Sequence, residues 1–136
     1  MNGVKRKELK DMFQSIADLM EKEKEELGEL DSLMGDGDLG LTMSRGYGSL
    51  PGIMEDLDEP DIGKAIGKAG MKMSSKIPST MGFLMGAGLM SGGKAIGGRT
   101  AIDGEAYRDF LTGFCEGIIK RGKCQPGDRT VLDAFD

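Results

Sequence analysis

The stretch LKDMFQSIADLMEKEKEEL, residues 9–27, carries the clearest helical pattern in the sequence. Its apolar residues recur at spacings of three and four, which places them on one stripe of an α-helix. The residues of this stripe are Leu9, Met12, Phe13, Ile16, Leu19 and Met20. The charge run at residues 21–26 alternates in sign, which is typical of a solvated face. We therefore predict one amphipathic helix over residues 9–27.

Similar periodic segments, separated by glycine and proline, predict four further helices. They are a helix from near Leu41 towards Leu50, weakened or kinked at Pro51 and Gly52; a helix capped by Asp61 and running through Met73; a buried helix over Met81–Met90; and a helix from Asp103 to near Gly122. The polar stretch 74–80 is predicted as a break. Strand signals are almost absent, because no run of four to eight β-branched or aromatic residues alternates with polar ones. The sequence predicts an all-α fold.

Length and composition exclude several classes of protein. The 136 residues suffice for one domain, residues 1–136, with 30% charged and 38% hydrophobic residues. A net charge of −5 argues against a nucleic-acid partner. The N-terminus lacks the apolar segment of a signal peptide, and a GxxxG pattern at Gly82 and Gly86 indicates close helix packing rather than a membrane dimer. We expect a cytoplasmic protein that binds neither nucleic acid nor membrane.

The last residues of the chain also lead to a prediction. An apolar pattern begins at Val131 and Leu132 and is cut off at Asp136, without the cap that normally ends a helix. We therefore expect a truncated chain, with a helical fold that is incomplete at the C-terminus.

The segment DSLMGDGD, residues 31–38, places Asp31, Asp36 and Asp38 within eight residues. Hard cations such as Mg²⁺ prefer carboxylate ligands completed by water and phosphate oxygens, and the spacing is not that of a calcium EF-hand. Gly40, Leu41 and Thr42 follow at the start of a helix, where free amides and the helix dipole favour phosphate. The alternative is an acidic surface turn in which Asp38 caps the helix, and the residues alone leave both interpretations open.

Two more polar loops follow the third and fifth predicted helices, just as residues 31–38 follow the first. Residues 76–82 offer the hydroxyls of Ser79 and Thr80, which are more often helix caps than ligands. Residues 121–130, RGKCQPGDRT, form a turn rich in backbone donors and cations, for which a solvated loop is the ordinary interpretation. In a helical bundle every second connection lies at the same end, so the three loops can converge on one nucleotide.

At these residues the chain resembles the nucleotide-binding L subunit of bacterial dihydroxyacetone kinases, a family also found as the C-terminal domain of single-chain kinases. The motifs that carry the resemblance are LDSLMGDGDLG at residues 30–40 and IIKRGKCQPGDRTVLDA at residues 118–134. The resemblance implies an antiparallel bundle of about eight helices that forms a barrel. It further implies ADP or ATP held at one end of the barrel by two Mg²⁺ ions.

The resemblance also assigns roles to residues. Asp31, Asp36 and Asp38 would be the metal ligands, and no residue would act as a catalytic nucleophile. The residues implied at the nucleotide are Gly40, Leu41 and Thr42 by the phosphates, with Ser79, Thr80, Gly122 and Val131 lining the rest of the site and Val131 against the adenine. The implied activity relays phosphate from a phosphohistidine donor subunit, through the bound nucleotide, to dihydroxyacetone on a K subunit.

Three departures from the family pattern accompany the resemblance. Leu39 stands where the family has a histidine, Ile77 and Pro78 replace two glycines, and the family domain is longer by several helices. Two alternatives therefore stay open. One is an ATP-dependent kinase of another small hydroxylated substrate, and the other is a non-catalytic regulatory module that binds a partner such as a transcription factor. The phosphoryl donor and the oligomeric state, a homodimer included, also stay open.

Overall fold

The computed structural model describes residues 3–128 and 130–135. The helices are α1 (Leu9–Lys22), α2 (Lys24–Ser32), α3 (Leu39–Asp56), α4 (Ile62–Lys76), α5 (Thr80–Ala95), α6 (Gly104–Gly122) and α7 (Leu132–Phe135), with a 3₁₀ helix at Arg6–Glu8. Strand β1 (Val4–Lys5) pairs antiparallel with β2 (Ala101–Ile102). The predicted all-α fold is confirmed. Asp136, where the apolar pattern is cut off, lies outside the described residues.

Two polar contacts show that α1 and α3 run antiparallel. Lys10, near the start of α1, pairs with Glu55, near the end of α3, at 3.2 Å from Nζ to Oε2. Ser44, in the second turn of α3, donates to the carboxylate of Glu21, near the end of α1. The end of α1 and the start of α3 therefore lie together.

Helices α4 and α5 also run antiparallel and approach each other through glycines. A Cβ atom on Gly63, at the start of α4, would lie 2.2 Å from the carbonyl oxygen of Gly93, near the end of α5. A Cβ atom on Gly70 would lie 2.9 Å from the carbonyl oxygen of Gly86. Only residues without a side chain allow such an approach, so the close helix packing predicted at Gly86 is confirmed, whereas Gly82 packs against Ile77 in the preceding loop.

Helix α6 packs antiparallel on the other side of α5. A Cβ atom on Gly88 would lie 2.7 Å from the ring of Phe114, and one on Gly92 would lie 2.7 Å from the ring of Phe110. A Cβ atom on Gly46, in the first half of α3, would lie 2.6 Å from Ile77, directly after α4, so the connections that follow α2, α4 and α6 lie at one end of the bundle. We call this the loop end and define it by residues 33–38, 77–79, 123–128 and 130–131.

Residues 9–27 do not form the single helix that their periodicity predicts. The helix is interrupted at Glu23, whose φ of −95° and ψ of 6° separate α1 from α2. The break brings the carbonyl oxygen of Lys24 against Gly40, where a Cβ atom would lie only 1.7 Å away. Packing against α3 thus accompanies the break, and the local sequence carries no glycine or proline to signal it. Leu19, predicted on the apolar stripe, is 53% exposed.

Three predicted helix ends also differ from the structure. Helix α3 continues through Pro51, which is buried, to Asp56. Helix α4 continues to Lys76, so the break is shorter than the predicted stretch 74–80, and α5 continues past the predicted end at Met90 to Ala95. The hydroxyls of Ser74 and Ser75 are satisfied inside the bundle by carbonyl acceptors, that of Ser75 within α4 and that of Ser74 on the neighbouring α5.

The short strand pair was not predicted, because two residues per strand are too few to show an alternating pattern. The core lies between the helices, and its largest fully buried side chains are Phe13, Leu9, Leu50, Ile62, Ile66, Met73, Ile96, Ile118 and Leu132. Among the described residues, no helix is both long enough and apolar enough to cross a membrane.

We predict that Asp61→Ala lowers the free energy of unfolding by about 1–2 kcal/mol, the usual effect of losing an N-cap. Asp61 caps α4 as the sequence predicts, since its Oδ1 accepts from the amide of Lys64 at 2.8 Å. Its Oδ2 also accepts from the amide of Gly98 at 2.7 Å. Urea unfolding at neutral pH measures the loss, and Asp58→Ala, an exposed aspartate nearby, should change stability by much less.

The same variant has a defined pH dependence. Hydrogen bonds from the backbone, that of Lys64 first, lower the pKa of Asp61. A carboxylate with a lowered pKa stabilises the fold above its unfolded pKa and loses that contribution as pH falls through the folded one. The stability difference between the wild type and Asp61→Ala should therefore shrink as the pH falls below about 4. A difference that stays constant into acid would show that the charge of Asp61 is not involved.

Candidate metal and nucleotide site

The structure brings the three predicted metal ligands together at the loop end. Asp31 lies on the last turn of α2, Asp36 in the turn, and Asp38 directly before α3. One carboxylate oxygen of each lies within 4.8 Å of one from each of the others. Ligands on opposite sides of one Mg²⁺ ion lie about 4.2 Å apart, so small side-chain rotations suffice for coordination. The donor set therefore fits a hard divalent cation.

Two glycines in the turn make this cluster sterically feasible. A Cβ atom on Gly35 would lie 2.6 Å from Oδ1 of Asp31, so any other residue would push that carboxylate away. Gly37 has a φ of +81°, a left-handed conformation that other residues adopt only with strain. The spacing of glycine and aspartate in DSLMGDGD thus shapes the carboxylate cluster itself.

Asp31, not Asp38, caps α3. The Oδ2 atom of Asp31 accepts from the amide of Leu39 at 3.2 Å. Asp38 occupies the N-cap position, but its side chain makes no capping hydrogen bond, so the alternative in which Asp38 caps this helix is wrong. The side chain of Leu39, at the position of the family histidine, packs against the core. The carboxylates of Asp36 and Asp38 lie on the exposed side of the cluster.

The two exposed carboxyls perturb each other. Their mutual hydrogen bond lowers the pKa of Asp36 and raises the pKa of Asp38. For Asp38, burial and the negative charges of Asp36 and Asp31 add to the rise. This is the expected behaviour of clustered like charges, since one carboxyl retains a proton to donate to the other. A cation bound between them would replace that proton.

We predict that metal-free protein shows this split in an NMR titration of side-chain carboxyl carbons, with Asp38 titrating at higher pH than Asp36. Asp36→Asn removes both the acceptor and the charge, so the pKa of Asp38 should fall. Mg²⁺ binds the deprotonated form, and its affinity should decline as pH falls through the raised pKa of Asp38. If Asp36 and Asp38 titrated independently, both with pKa values near that of an ordinary aspartate, the hydrogen bond between the two carboxyls would be contradicted.

The residues predicted to lie beside the phosphates, Gly40, Leu41 and Thr42, are in the first turn of α3. The amide of Thr42 donates to the carbonyl oxygen of Asp38 at 2.9 Å, as in any helix. Among the described residues, the amides of Gly40 and Leu41 donate no hydrogen bond. Gly40 is buried against the carbonyl of Lys24, which gives this glycine a packing role of its own. The side chain of Leu41 is 48% exposed.

The second loop, residues 77–79, has the helix-cap geometry that serine usually adopts before a helix. Ser79 is the N-cap of α5, and its Oγ accepts from the amide of Gly82 at 3.0 Å. Thr80 is exposed in the first turn of α5. Ile77, which replaces a family glycine, is a buried core residue, and its Cδ1 lies 2.6 Å from where a Cβ atom of Gly46 would be. The loop is thereby held beside the first half of α3.

The third loop is ordered by a residue that the sequence did not single out. Asp133 accepts from the amides of Gly127, at 2.7 Å, and Thr130, at 3.2 Å. The loop begins at Gly122, the exposed last residue of α6, and ends at Val131, which is half-buried against the core. Residues 130–133 have the T-x-x-D pattern of a capping box, in which an acidic side chain accepts from the backbone N–H of the capping residue, and this local pattern could have identified Asp133. Arg129, part of the predicted turn, lies outside the described residues.

The helix directions place all three loops at the loop end, as their alternation predicts. A Cβ atom on Gly122 would lie 3.1 Å from Leu84, one turn into α5 from Thr80, so the second and third loops are neighbours. The carboxylate cluster lies at the start of α3, on the same end as Ile77. The arrangement offers a cation site, free helix amides and two flanking polar loops around one end of a helical bundle.

Comparison with known proteins agrees with this geometry. A family model described as the DAK2 domain matches residues 33–136. The ADP-binding subunit DhaL of PEP-dependent dihydroxyacetone kinase 1 from Listeria innocua is 33% identical over 117 residues, which cover 86% of this chain and 59% of the relative. The corresponding subunit from Escherichia coli is 30% identical over 118 residues, 87% of this chain and 56% of the relative.

A longer relative is named for another substrate. The L-erythrulose 1-kinase of Mycolicibacterium smegmatis is 32% identical over 111 residues, 80% of this chain but 19% of that protein. The chain spans somewhat more than half the length of the ADP-binding subunits it matches. The family match covers most of the chain and includes Asp36, Asp38 and the loop at residues 123–131. The chain therefore belongs to the DAK2 domain family.

Proposed function

We propose that this chain is the nucleotide-binding phosphotransfer component of a dihydroxyacetone kinase. It would hold ADP or ATP at the loop end through two Mg²⁺ ions bound by Asp31, Asp36 and Asp38. The observation that carries the proposal is the convergence of these three carboxylates directly before the N-terminus of α3. Relatives named as ADP-binding subunits of PEP-dependent dihydroxyacetone kinases support it.

The chain's own residues would bind and orient the nucleotide. The amides at Gly40 and Leu41 point positive partial charge at phosphate oxygens, and Thr42 adds a hydroxyl beside them. Ser79, Thr80 and Gly122 would flank the nucleotide, with Val131 giving the adenine an apolar contact. Magnesium, when bound, neutralises phosphate charge and aligns the terminal phosphoryl group for in-line transfer.

The division of labour follows from what the chain contains. It has no histidine, so a phosphohistidine intermediate would have to form on a separate donor subunit. The acceptor, dihydroxyacetone, would be held on a K subunit, which has to approach the loop end to receive the phosphoryl group. In this scheme the nucleotide stays bound and alternates between ADP and ATP, and the components meet in the cytoplasm.

Reconstitution tests the proposal. The purified chain would be mixed with a phosphorylated donor subunit, a K subunit loaded with dihydroxyacetone, ADP and Mg²⁺, and dihydroxyacetone phosphate would be measured. We expect product only when this chain, ADP and Mg²⁺ are all present. A chain that binds MgADP but forms no product with either a phosphohistidine donor or ATP would contradict phosphotransfer while leaving the nucleotide site intact.

A further inference from the structure

An apolar groove lies between α4, α5 and α6, away from the carboxylate cluster. Its volume is about 470 Å³. Three large apolar side chains line it in an exposed state, Met71 at 53%, Phe83 at 45% and Met90 at 38%. The small buried residues Ala87 and Gly117 also line it and allow α5 and α6 to approach closely, since a Cβ atom on Gly117 would lie 2.7 Å from the carbonyl oxygen of Ala87. Clustered exposed apolar residues of this kind mark an interaction surface.

The rim of the groove is positively charged. Lys94, Lys120 and Arg121 line it and are exposed. In the part of the chain that the structure describes, none of the three is within salt-bridge distance of a carboxylate. The guanidinium of Arg121 lies 5.8 Å from the ring centroid of Phe83, which joins the charged rim to the apolar lining.

The two helices that form most of the groove share this charge. Helices α4 and α5 contain five lysines and no acidic residue, whereas the whole chain has a net charge of −5. The remainder of the chain therefore carries −10. Of these five lysines only Lys94 lines the groove, and together with Lys120 and Arg121 it gives the groove three cations and no acidic residue in a chain of net negative charge, which favours an acidic partner there.

We propose that this groove binds an acidic amphipathic helix of a partner protein. The apolar ridge of such a helix, at spacings of three, four and seven residues, would enter the groove between Met71, Phe83 and Met90. Glutamate or aspartate beside the ridge would then meet Lys94, near the end of α5, and Lys120 and Arg121, on the last turn of α6.

Two other occupants fit the observations less well. A nucleic acid needs phosphate contacts and aromatic stacking, but the groove has an apolar lining and one aromatic ring, Phe83. A bilayer takes up apolar side chains that project from a convex face, whereas Met71 and Met90 line a concavity. The groove contains none of the residues assigned as metal or nucleotide ligands, although Arg121 adjoins Gly122 and Phe83 lies in the same turn of α5 as Thr80.

The test uses the full chain and a labelled synthetic peptide of about 16 residues, with leucines at helical spacing and glutamates on both flanks. Fluorescence anisotropy should give saturable binding in the micromolar range. Reversing three charges with Lys94→Glu, Lys120→Glu and Arg121→Glu should weaken binding at least about 30-fold. The matched control, Lys7→Glu, Lys22→Glu and Arg45→Glu, makes the same change in net charge at exposed residues outside the groove and should weaken binding less than about threefold.

Three further measurements localise the contact. Circular dichroism establishes that both triple variants remain folded. Methionine methyl NMR should show shifts at Met71 and Met90 on adding peptide, with Met12 and Met54 unchanged. A scrambled peptide of the same composition has no apolar ridge and should bind at least about 10-fold more weakly.

Three results would overturn the proposal. They are no binding of the ridge peptide up to about 1 mM, equal binding of ridge and scrambled peptides, and groove-dependent binding of anionic phosphatidylserine vesicles or DNA without binding of the peptide.

Discussion

Asp36→Asn combined with Asp38→Asn lowers the affinity for MgADP by at least about 100-fold, because removing two charged ligands leaves the cation with one carboxylate. The structure places both side chains on the exposed side of the cluster, where neither caps α3. Their loss should therefore affect the ion far more than the fold. The measurement is isothermal titration of MgADP into the wild type and the variant under identical conditions.

The matched control is Asp56→Asn combined with Asp58→Asn, which removes the same two charges near the opposite end of α3. It should bind MgADP within about threefold of the wild type, since exposed charges beyond the Debye length are largely screened. Equal loss in both double variants would mean that overall charge, and not the carboxylate cluster, governs nucleotide binding. Unchanged binding in the Asp36 and Asp38 variant would remove these residues from the metal site.

Gly40→Ala should destabilise the protein by about 3 kcal/mol or more, because overpacking against rigid backbone cannot be relieved by side-chain rotation. The added Cβ atom would lie 1.7 Å from the carbonyl oxygen of Lys24, so α2 and α3 would have to separate. For a domain with the usual 5–15 kcal/mol of stability, that is a large fraction of the total. Urea unfolding followed by circular dichroism measures it.

Gly48→Ala provides the control within the same helix. A Cβ atom there would meet nothing within 4 Å, and the site is exposed. Alanine should stabilise this position by about 0.5–1 kcal/mol, because it restricts the unfolded chain more than glycine does. If the free energy of unfolding of Gly40→Ala equalled that of Gly48→Ala, the close approach of the Lys24 carbonyl to α3 would be wrong.

Much of the fold followed from local signals in the sequence. Asp61 and Asp103 were predicted to start helices, and both accept hydrogen bonds as N-caps from the amides of Lys64 and Ala106. The end of α6 at Gly122 was also predicted. Helix capping and the helical spacing of apolar residues depend only on residues close in the sequence, so they can be identified without knowledge of the partner helices.

The missed features depend on contacts between distant segments. The break at Glu23 has no local signal and is coupled to packing against Gly40, seventeen positions along the chain. Pro51 stays inside α3, where burial among neighbouring helices offsets the hydrogen bond that proline cannot donate. Tertiary packing decided both outcomes against the local pattern.

The site likewise combines features that the local sequence predicts with features that depend on the folded turn. Asp31, Asp36 and Asp38 were identified from their spacing, and the structure brings them together. The sequence could not reveal that Asp31 also caps α3 through the amide of Leu39, because that bond spans eight residues and a turn. Asp133, which organises the third loop through two amides, was missed although the T-x-x-D pattern at residues 130–133 is a capping-box signal. Roles that depend on turn geometry stay hidden until the turn is known.

Calorimetric titration of ADP into the wild-type chain, with Mg²⁺ and again with excess EDTA, tests the central claim most directly. The proposed site predicts one nucleotide bound per chain with Mg²⁺, and loss of binding at least about 100-fold when EDTA removes the metal. Equal affinity with and without Mg²⁺, or no binding in either condition, would contradict a metal-clamped nucleotide site at Asp31, Asp36 and Asp38.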